Sequence, residues 1–224
     1  MKSSLSRRLA AEFLGTAFLV AAIVGSGIMG ERLSGGNFAL ALLCNSIATG
    51  GALVALILTF RPISGAHLNP IVSWIDGLIG GITWNEVCLY LIAQIGGGIA
   101  GAACADLMFA LPVVSLSRHV RTGPAQWFSE FVATFGLILV IRSCARFESA
   151  WVPLAVACYI VAAYWFTAST SFANPAVAIA RSLSDTFSGI RPSDVPGFIV
   201  AQLLGGLSAS VVFNWLGHRP QSSP

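Results

Sequence analysis

Charge is what this chain has least of: Asp, Glu, Lys and Arg together make up 9% of its 224 residues, against about a quarter in an ordinary soluble domain. That shortage excludes a solvated globular fold, and no polar stretch is long enough to form a second, soluble domain. The net charge of +3 is too small to mark a nucleic-acid partner. Acids are missing from the central thirds of the apolar runs. This counts against an ion-coupled secondary transporter, which holds its ion at mid-depth with charged groups or unwound carbonyls. Five cysteines, Cys44, Cys88, Cys104, Cys144 and Cys158, lie in or at the ends of apolar runs without paired-ligand spacing. They read as small packing residues, neither a metal site nor a disulfide framework. No nucleophile–base pair is visible, so neither an enzyme nor a cofactor is expected.

What the chain has instead is hydrophobicity: 56% of residues are apolar or aromatic and the mean hydropathy is +0.81. A bilayer crossing needs about 20 such residues. The pattern predicts six spans: Leu9–Met29, Phe38–Phe60, Val87–Leu111, Ala125–Ile141, Trp151–Ala168 and Val195–Leu216. The basic start, Lys2 to Arg8 ahead of an apolar run, has the form of a signal peptide. However, Glu12-Phe-x-x-Thr16 recurs internally as Glu130-Phe-x-x-Thr134, so the first run is read as a span. Gly50-Gly51, Gly96-Gly97-Gly98, Gly101 and Gly205-Gly206 fall inside the runs, where small residues let helix backbones approach closely.

The repeat organises the rest. Asn69-Pro70 and Asn174-Pro175 are 105 residues apart, and Ala93-Gln94-x-x-Gly97 returns 108 residues later as Ala201-Gln202-x-x-Gly205. Asn is a preferred N-cap and Pro suits the first helical turn, so each pair reads as an abrupt helix start. The two short helices are expected over 69–77 and 174–182. Each half then holds three crossings, an odd number, so the second half enters the membrane inverted and the short helices meet near the midplane. Irregular backbone at that depth survives only where it is buried or lines a wet cavity.

Ser64-Gly-Ala-His67-Leu-Asn69-Pro70 and Asn174-Pro175-Ala176 resemble the two signatures of the aquaporin (major intrinsic protein) family. The resemblance implies an all-α membrane protein of six transmembrane helices plus two re-entrant half-helices. It would be a single channel domain over 1–224, built as inverted repeats of about 1–115 and 120–220, and a homotetramer. Both termini would be cytoplasmic in a bacterial inner membrane. The basic residues give this orientation a weak bias, with Lys2, Arg7, Arg8, Arg61, Arg142, Arg146 and Arg219 inside and Arg32, Arg118, Arg121, Arg181 and Arg191 outside. The expected partners are small neutral solutes and membrane lipids.

The same resemblance implies roles for individual residues. Asn69, Pro70 and Ile71, with Asn174, Pro175 and Ala176, form the central motifs, where the Asn amides donate hydrogen bonds to a passing oxygen. Ile71 stands where Ala is usual and adds bulk. Glu12 and Glu130 hold the two loops rather than relaying protons, and Gln94 and Gln202 link helices. His67 is open to two readings, a pH sensor or a brace for its loop. Four positions near the outer mouth set selectivity; here they are Thr49, Ala162, Ser171 and Val177. The usual Arg is missing at Val177, and both usual large side chains are missing, so the mouth is expected to be wide and weakly polar. Such a pore resembles bacterial members that move uncharged metalloid acids such as trihydroxyarsenic, with polyols and water. A water-selective pore is the alternative. Arg181, four residues after Val177, is a possible outer-mouth charge; the reading preferred on spacing is that it snorkels to the interface or pairs with Asp185.

Overall fold

A computed structural model of the chain describes residues 3–216. Lys2 and Arg219, two of the basic residues behind the orientation bias, lie outside the described residues. The described chain is helical: α1 (Leu5–Leu33), α2 (Phe38–Ser64), α3 (Pro70–Leu78), α4 (Trp84–Met108), α5 (Pro124–Phe147), α6 (Val152–Phe166), α7 (Pro175–Arg181) and α8 (Val195–Leu216), with short 3-10 turns at Ser149–Trp151 and Pro192–Asp194. Six segments, each containing one of the longer helices, are long and apolar enough to cross a membrane.

Helix ends differ from the apolar runs because caps, not hydropathy, set them. Thr83 and Glu86 form a capping box, with Glu86 N donating to Thr83 Oγ1 at 3.3 Å and Thr83 N to Glu86 Oε2 at 2.9 Å. This starts α4 at Trp84, ahead of the predicted Val87. Gly65, at φ 94°, takes the left-handed C-cap that ends α2 beyond the predicted Phe60. The short helices α3 and α7 each begin at Pro after an Asn cap, with both prolines at the first helical position.

The bundle is made of two similarly packed halves. Helix α1 lies along α4 and α2, α5 lies along α8 and α6, and α2 meets α6. A side chain at Gly97 or Gly101 would run into the backbone carbonyls of Phe13 and Ala17, and one at Gly205 into that of Phe131. Glycine thus sets the close α1–α4 and α5–α8 approaches. Large apolar side chains such as Phe18, Ile92 and Trp215 face outward, the surface that a bilayer would cover. Cys44, Cys88, Cys104 and Cys158 also face outward and Cys144 is half-buried, all as free thiols. The reading of the cysteines as small packing residues is therefore corrected for four of the five, whose helical register puts them on the outer surface.

Candidate functional site

The two segments ahead of α3 and α7 enter the bundle as irregular backbone. Ala66 and Leu68 in the first, and Ser171 and Ala173 in the second, hold φ between 47° and 51°, a left-handed conformation that costs each about 1–3 kcal/mol. Two fully buried carboxylates compensate. Glu12 Oε1 accepts from Ser64 Oγ (2.6 Å) and His67 N (3.0 Å), while its Oε2 accepts from Leu68 N (2.7 Å) and Gln94 Nε2 (2.8 Å). Glu130 repeats the pattern. Its Oε1 accepts from Ser169 Oγ (2.6 Å) and Phe172 N (2.8 Å), and its Oε2 from Ala173 N (2.9 Å) and Gln202 Nε2 (2.6 Å). Every carboxylate oxygen has two donors, which fits holding the loops and leaves no oxygen free to pass a proton.

The asparagines close this arrangement. Asn69 Oδ1 caps its own helix through Ile71 N at 2.9 Å, and Asn174 Oδ1 does so through Ala176 N at 3.0 Å and Val177 N at 3.3 Å. Their Nδ2 atoms cross over: Asn69 donates to Ala173 O and Asn174 to Leu68 O, both at 2.8 Å. An amide nitrogen carries two hydrogens, so one is committed to the opposite loop and one remains for a solute. His67 is braced on three sides, with Nδ1 3.0 Å from Ser73 Oγ, Nε2 3.6 Å from Asp76 Oδ2 and its ring edge-on to Tyr90. Ser73 Oγ also accepts from Gln94 Nε2 at 2.8 Å, which ties His67 to the Glu12 network.

Between the loops and the long helices runs a cavity of about 580 Å³. At one end Arg61, Arg142, Arg146 and Asp76 line it; the middle carries Asn69 and Asn174; the far end carries Thr49, Tyr164, Ser171, Val177 and Arg181. Leu19, Ile23, Leu53, Leu137 and Ile160 contribute apolar wall. Ser171 belongs to the lining as a residue, but its Oγ is buried without a protein partner among the described residues. Ile71 is absent from the lining. It packs on Ile75, Ile138 and Ala209, and a Cβ on Gly206 would come within 2.6 Å of its Cγ2. The extra bulk relative to Ala is therefore taken up by a glycine on α8 and does not enter the path.

Three expectations are corrected at the far end. Ala162 faces outward, exposed, while Ile160 and Tyr164 line the cavity. Residues four apart share a helix face and residue 162 falls between them on the other side, so counting back from Asn174 gave the wrong register. Tyr164 is 2% exposed and its hydroxyl lies 3.2 Å from Thr49 Oγ1. The far end therefore carries an aromatic ring and its hydroxyl, and is not as weakly polar as expected. Arg181 neither snorkels nor pairs with Asp185. It is 1% exposed, with Cζ 3.5 Å from the Phe172 ring centroid and Nε donating to Ser188 O. Asp185 is taken by Arg118, through the backbone N at 2.9 Å and Nε at 3.8 Å.

Arg121, in the loop between α4 and α5, is a residue that spacing did not single out. It donates to Gly189 O (2.7 Å) and Ser169 O (3.2 Å), and its Cζ lies 5.1 Å from the same Phe172 ring. Burial pushes its guanidinium below its ordinary pKa. A basic residue in a short loop of an apolar chain was the available signal. Tyr164 had one too, since a hydroxyl inside an apolar helix needs a partner.

The chain matches the family described as Major intrinsic protein over residues 1–171. It is 57% identical over 212 residues to Aquaglyceroporin AqpS of Rhizobium meliloti (strain 1021), covering 95% of this chain and 91% of that protein. It is 33% identical over 144 residues to Aquaporin NIP6-1 of Arabidopsis thaliana, covering 63% of this chain and 46% of that protein. The X-ray structure of the aquaglyceroporin from Plasmodium falciparum has a similar fold, with a TM-score of 0.77 over 94% of this chain and 96% of that one, at 22% identity.

Proposed function

Because the chain belongs to the major intrinsic protein family, a family of channels and not of enzymes, we propose that it is a passive channel for small uncharged solutes. Neutral metalloid acids such as trihydroxyarsenic, glycerol-like polyols and water are the solutes we assign to it. The observation that carries this reading is the 580 Å³ cavity with its asymmetric wall. Donors line one side: the free hydrogens of the Asn69 and Asn174 amides and the Arg181 guanidinium. Leu19, Ile23, Leu53 and Ile160 supply the apolar side. A neutral hydroxylated solute can trade its hydration for such donors, whereas a cation recovers little of its hydration energy there. The similarity to a protein named as an aquaglyceroporin supports the solute class.

On this reading Thr49, Ser171, Val177 and Tyr164 form the selectivity region, with Tyr164 in the place first given to Ala162. The inverted-repeat domain over 1–224, the homotetramer, the bacterial inner membrane and the cytoplasmic termini belong to the same proposal. Light scattering from proteoliposomes, shocked in turn with sucrose, glycerol, urea and trihydroxyarsenic, tests it. Flux of the neutral solutes linear in concentration and indifferent to ion gradients is the expected result; flux that follows an ion gradient would overturn it. Water permeation with glycerol and trihydroxyarsenic excluded would favour a water-selective pore, the second reading, which the Tyr164 ring at the mouth supports.

A further inference from the structure

Arg181 is the largest fully buried side chain among the described residues, and no carboxylate is paired with it. The described Arg–carboxylate pairs are Arg8–Glu86, Arg118–Asp185 and Arg191–Asp194. Its one acceptor among the described residues is Ser188 O, reached through Nε, so its terminal nitrogens carry donors that no described protein group uses. It also lines two spaces at once: the 580 Å³ cavity and a second one of about 200 Å³, lined by Glu31, Asn45, His119, Arg121 and Thr170 among others. Arg121 spends its donors on Gly189 O, Ser169 O and Thr170 Oγ1 (3.4 Å), and its charge sits against the same Phe172 ring. Two guanidiniums on one ring repel each other. A buried charge left without a partner is also costly, so a role that uses the donors is the economical explanation. A guanidinium offers two parallel N–H groups to a pair of oxygens and repels any cation.

We propose that Arg181, backed by Arg121 across Phe172, is the specificity-determining group at the wall between the two cavities: it admits solutes whose neighbouring oxygens accept its forked donors and it turns cations away. This rests on the channel reading above. It moves the fixed positive charge from position 177, where family resemblance looks for it, to a residue one helical turn further along α7, joined by one from the α4–α5 loop. The recognised class is small solutes with adjacent oxygen acceptors, polyols and oxyacids alike.

The test compares the parent chain with Arg181→Ala, Arg181→Lys, Arg121→Ala and, as a control, the exposed Arg118→Ala, all in proteoliposomes. Water and glycerol flux are read by light scattering, and K⁺ entry by a trapped fluorescent reporter. Arg181→Ala is expected to raise K⁺ entry about tenfold or more, the scale of losing a unit charge a few ångströms from the path. Arg181→Lys keeps K⁺ out but slows glycerol several-fold relative to water, because an ammonium offers no fork. Arg121→Ala raises K⁺ entry less than Arg181→Ala, and Arg118→Ala changes nothing. Should Arg181→Ala fail to fold, the Lys and Arg121 variants decide alone. Water-conducting Arg181→Ala and Arg121→Ala proteins that stay as tight to K⁺ as the parent, or a Lys variant with parental glycerol flux, overturn the assignment while the channel reading stands. A parent that passes neither water nor glycerol overturns the channel reading and this assignment with it.

Discussion

Asn69 and Asn174 each hold the loop that carries the other: Asn69 Nδ2 donates to Ala173 O and Asn174 Nδ2 to Leu68 O, both at 2.8 Å. The carbonyls that accept belong to the residues just before the two asparagines, both in the left-handed region. Each short helix is thus capped by an Asn whose position depends on the strained backbone of the opposite loop. Neither loop keeps its geometry alone.

Asn174→Asp tests the clamp and the cavity together. The substitution puts a carboxylate oxygen against Leu68 O, where a donor stood, at a cost of about 3 kcal/mol for a buried mismatch involving charge. It also places a negative charge in the middle of the cavity wall. Thermal unfolding in detergent is expected at lower temperature than for the parent. Protein that remains folded is expected to admit K⁺ in a liposome flux assay.

The carboxylates beneath the loops should be less forgiving. Glu130→Gln turns one of two acceptor oxygens into a donor, which then opposes either the Phe172 or the Ala173 N–H, now bonded to different oxygens at 2.8 and 2.9 Å. A loss of about 3–5 kcal/mol is expected, typical of breaking a buried charged network, with solute flux abolished. Glu12→Gln should behave alike, since His67 N, Leu68 N and Gln94 lean on it in the same way. A Glu130→Gln protein with parental melting temperature and flux would show that the loops hold themselves.

Some of this arrangement is legible in the chain because its signals are local. An Asn-Pro after an apolar run announces a cap and a first turn, and an acid inside an apolar run announces a buried partner. The repeat of both, 105 and 118 residues apart, points to one role performed twice. The lining is harder to read. Helix α6 is apolar on all sides, so periodicity cannot say which face meets the cavity, and Ala162 and Tyr164 look equally placed until the fold is known. The fate of Arg181 depends on loops distant in sequence: Arg118 removes its obvious partner Asp185, and Phe172 and Ser188 receive its side chain. No spacing rule within α7 contains that information.

Ile71→Ala separates packing from permeation. Ile71 is 1% exposed against Ile75, Ile138 and Ala209, and truncation leaves a void worth about 2–5 kcal/mol. Because the side chain is off the lining, the ranking of water, glycerol and urea fluxes is expected to stay as in the parent while the melting temperature falls. Altered solute ranking in the variant would place Ile71 on the path.

Thiol reagents probe the opposite end. None of the five cysteines lines either described cavity, and Cys158 faces outward. A mercurial is therefore expected to leave water flux in proteoliposomes unchanged. Ser171→Cys, at a residue that belongs to the cavity lining, should make flux sensitive and reversible by reductant. Strong block of the parent would mean that a native thiol reaches the path.

The register of α6 decides what narrows the mouth, and two substitutions separate the possibilities. Tyr164 fills the cavity's far end, with its hydroxyl held 3.2 Å from Thr49 Oγ1 across the gap between α6 and α2. Tyr164→Ala removes the ring and the bridge, so the opening widens and Thr49 is left to water, which a wet cavity supplies at little cost. Glycerol flux is expected to rise several-fold relative to water flux, because a wider opening relieves the larger solute more. Ala162→Trp adds a bulky side chain two residues away but on the outward face, off the cavity lining, so flux per folded channel should stay at the parental level. The reverse pattern, with Ala162→Trp blocking glycerol and Tyr164→Ala leaving it unchanged, would rotate α6 by about half a turn, since two residues span about 200° of a helix. Ala162 would then regain the filter position and Arg181 would face a wider mouth.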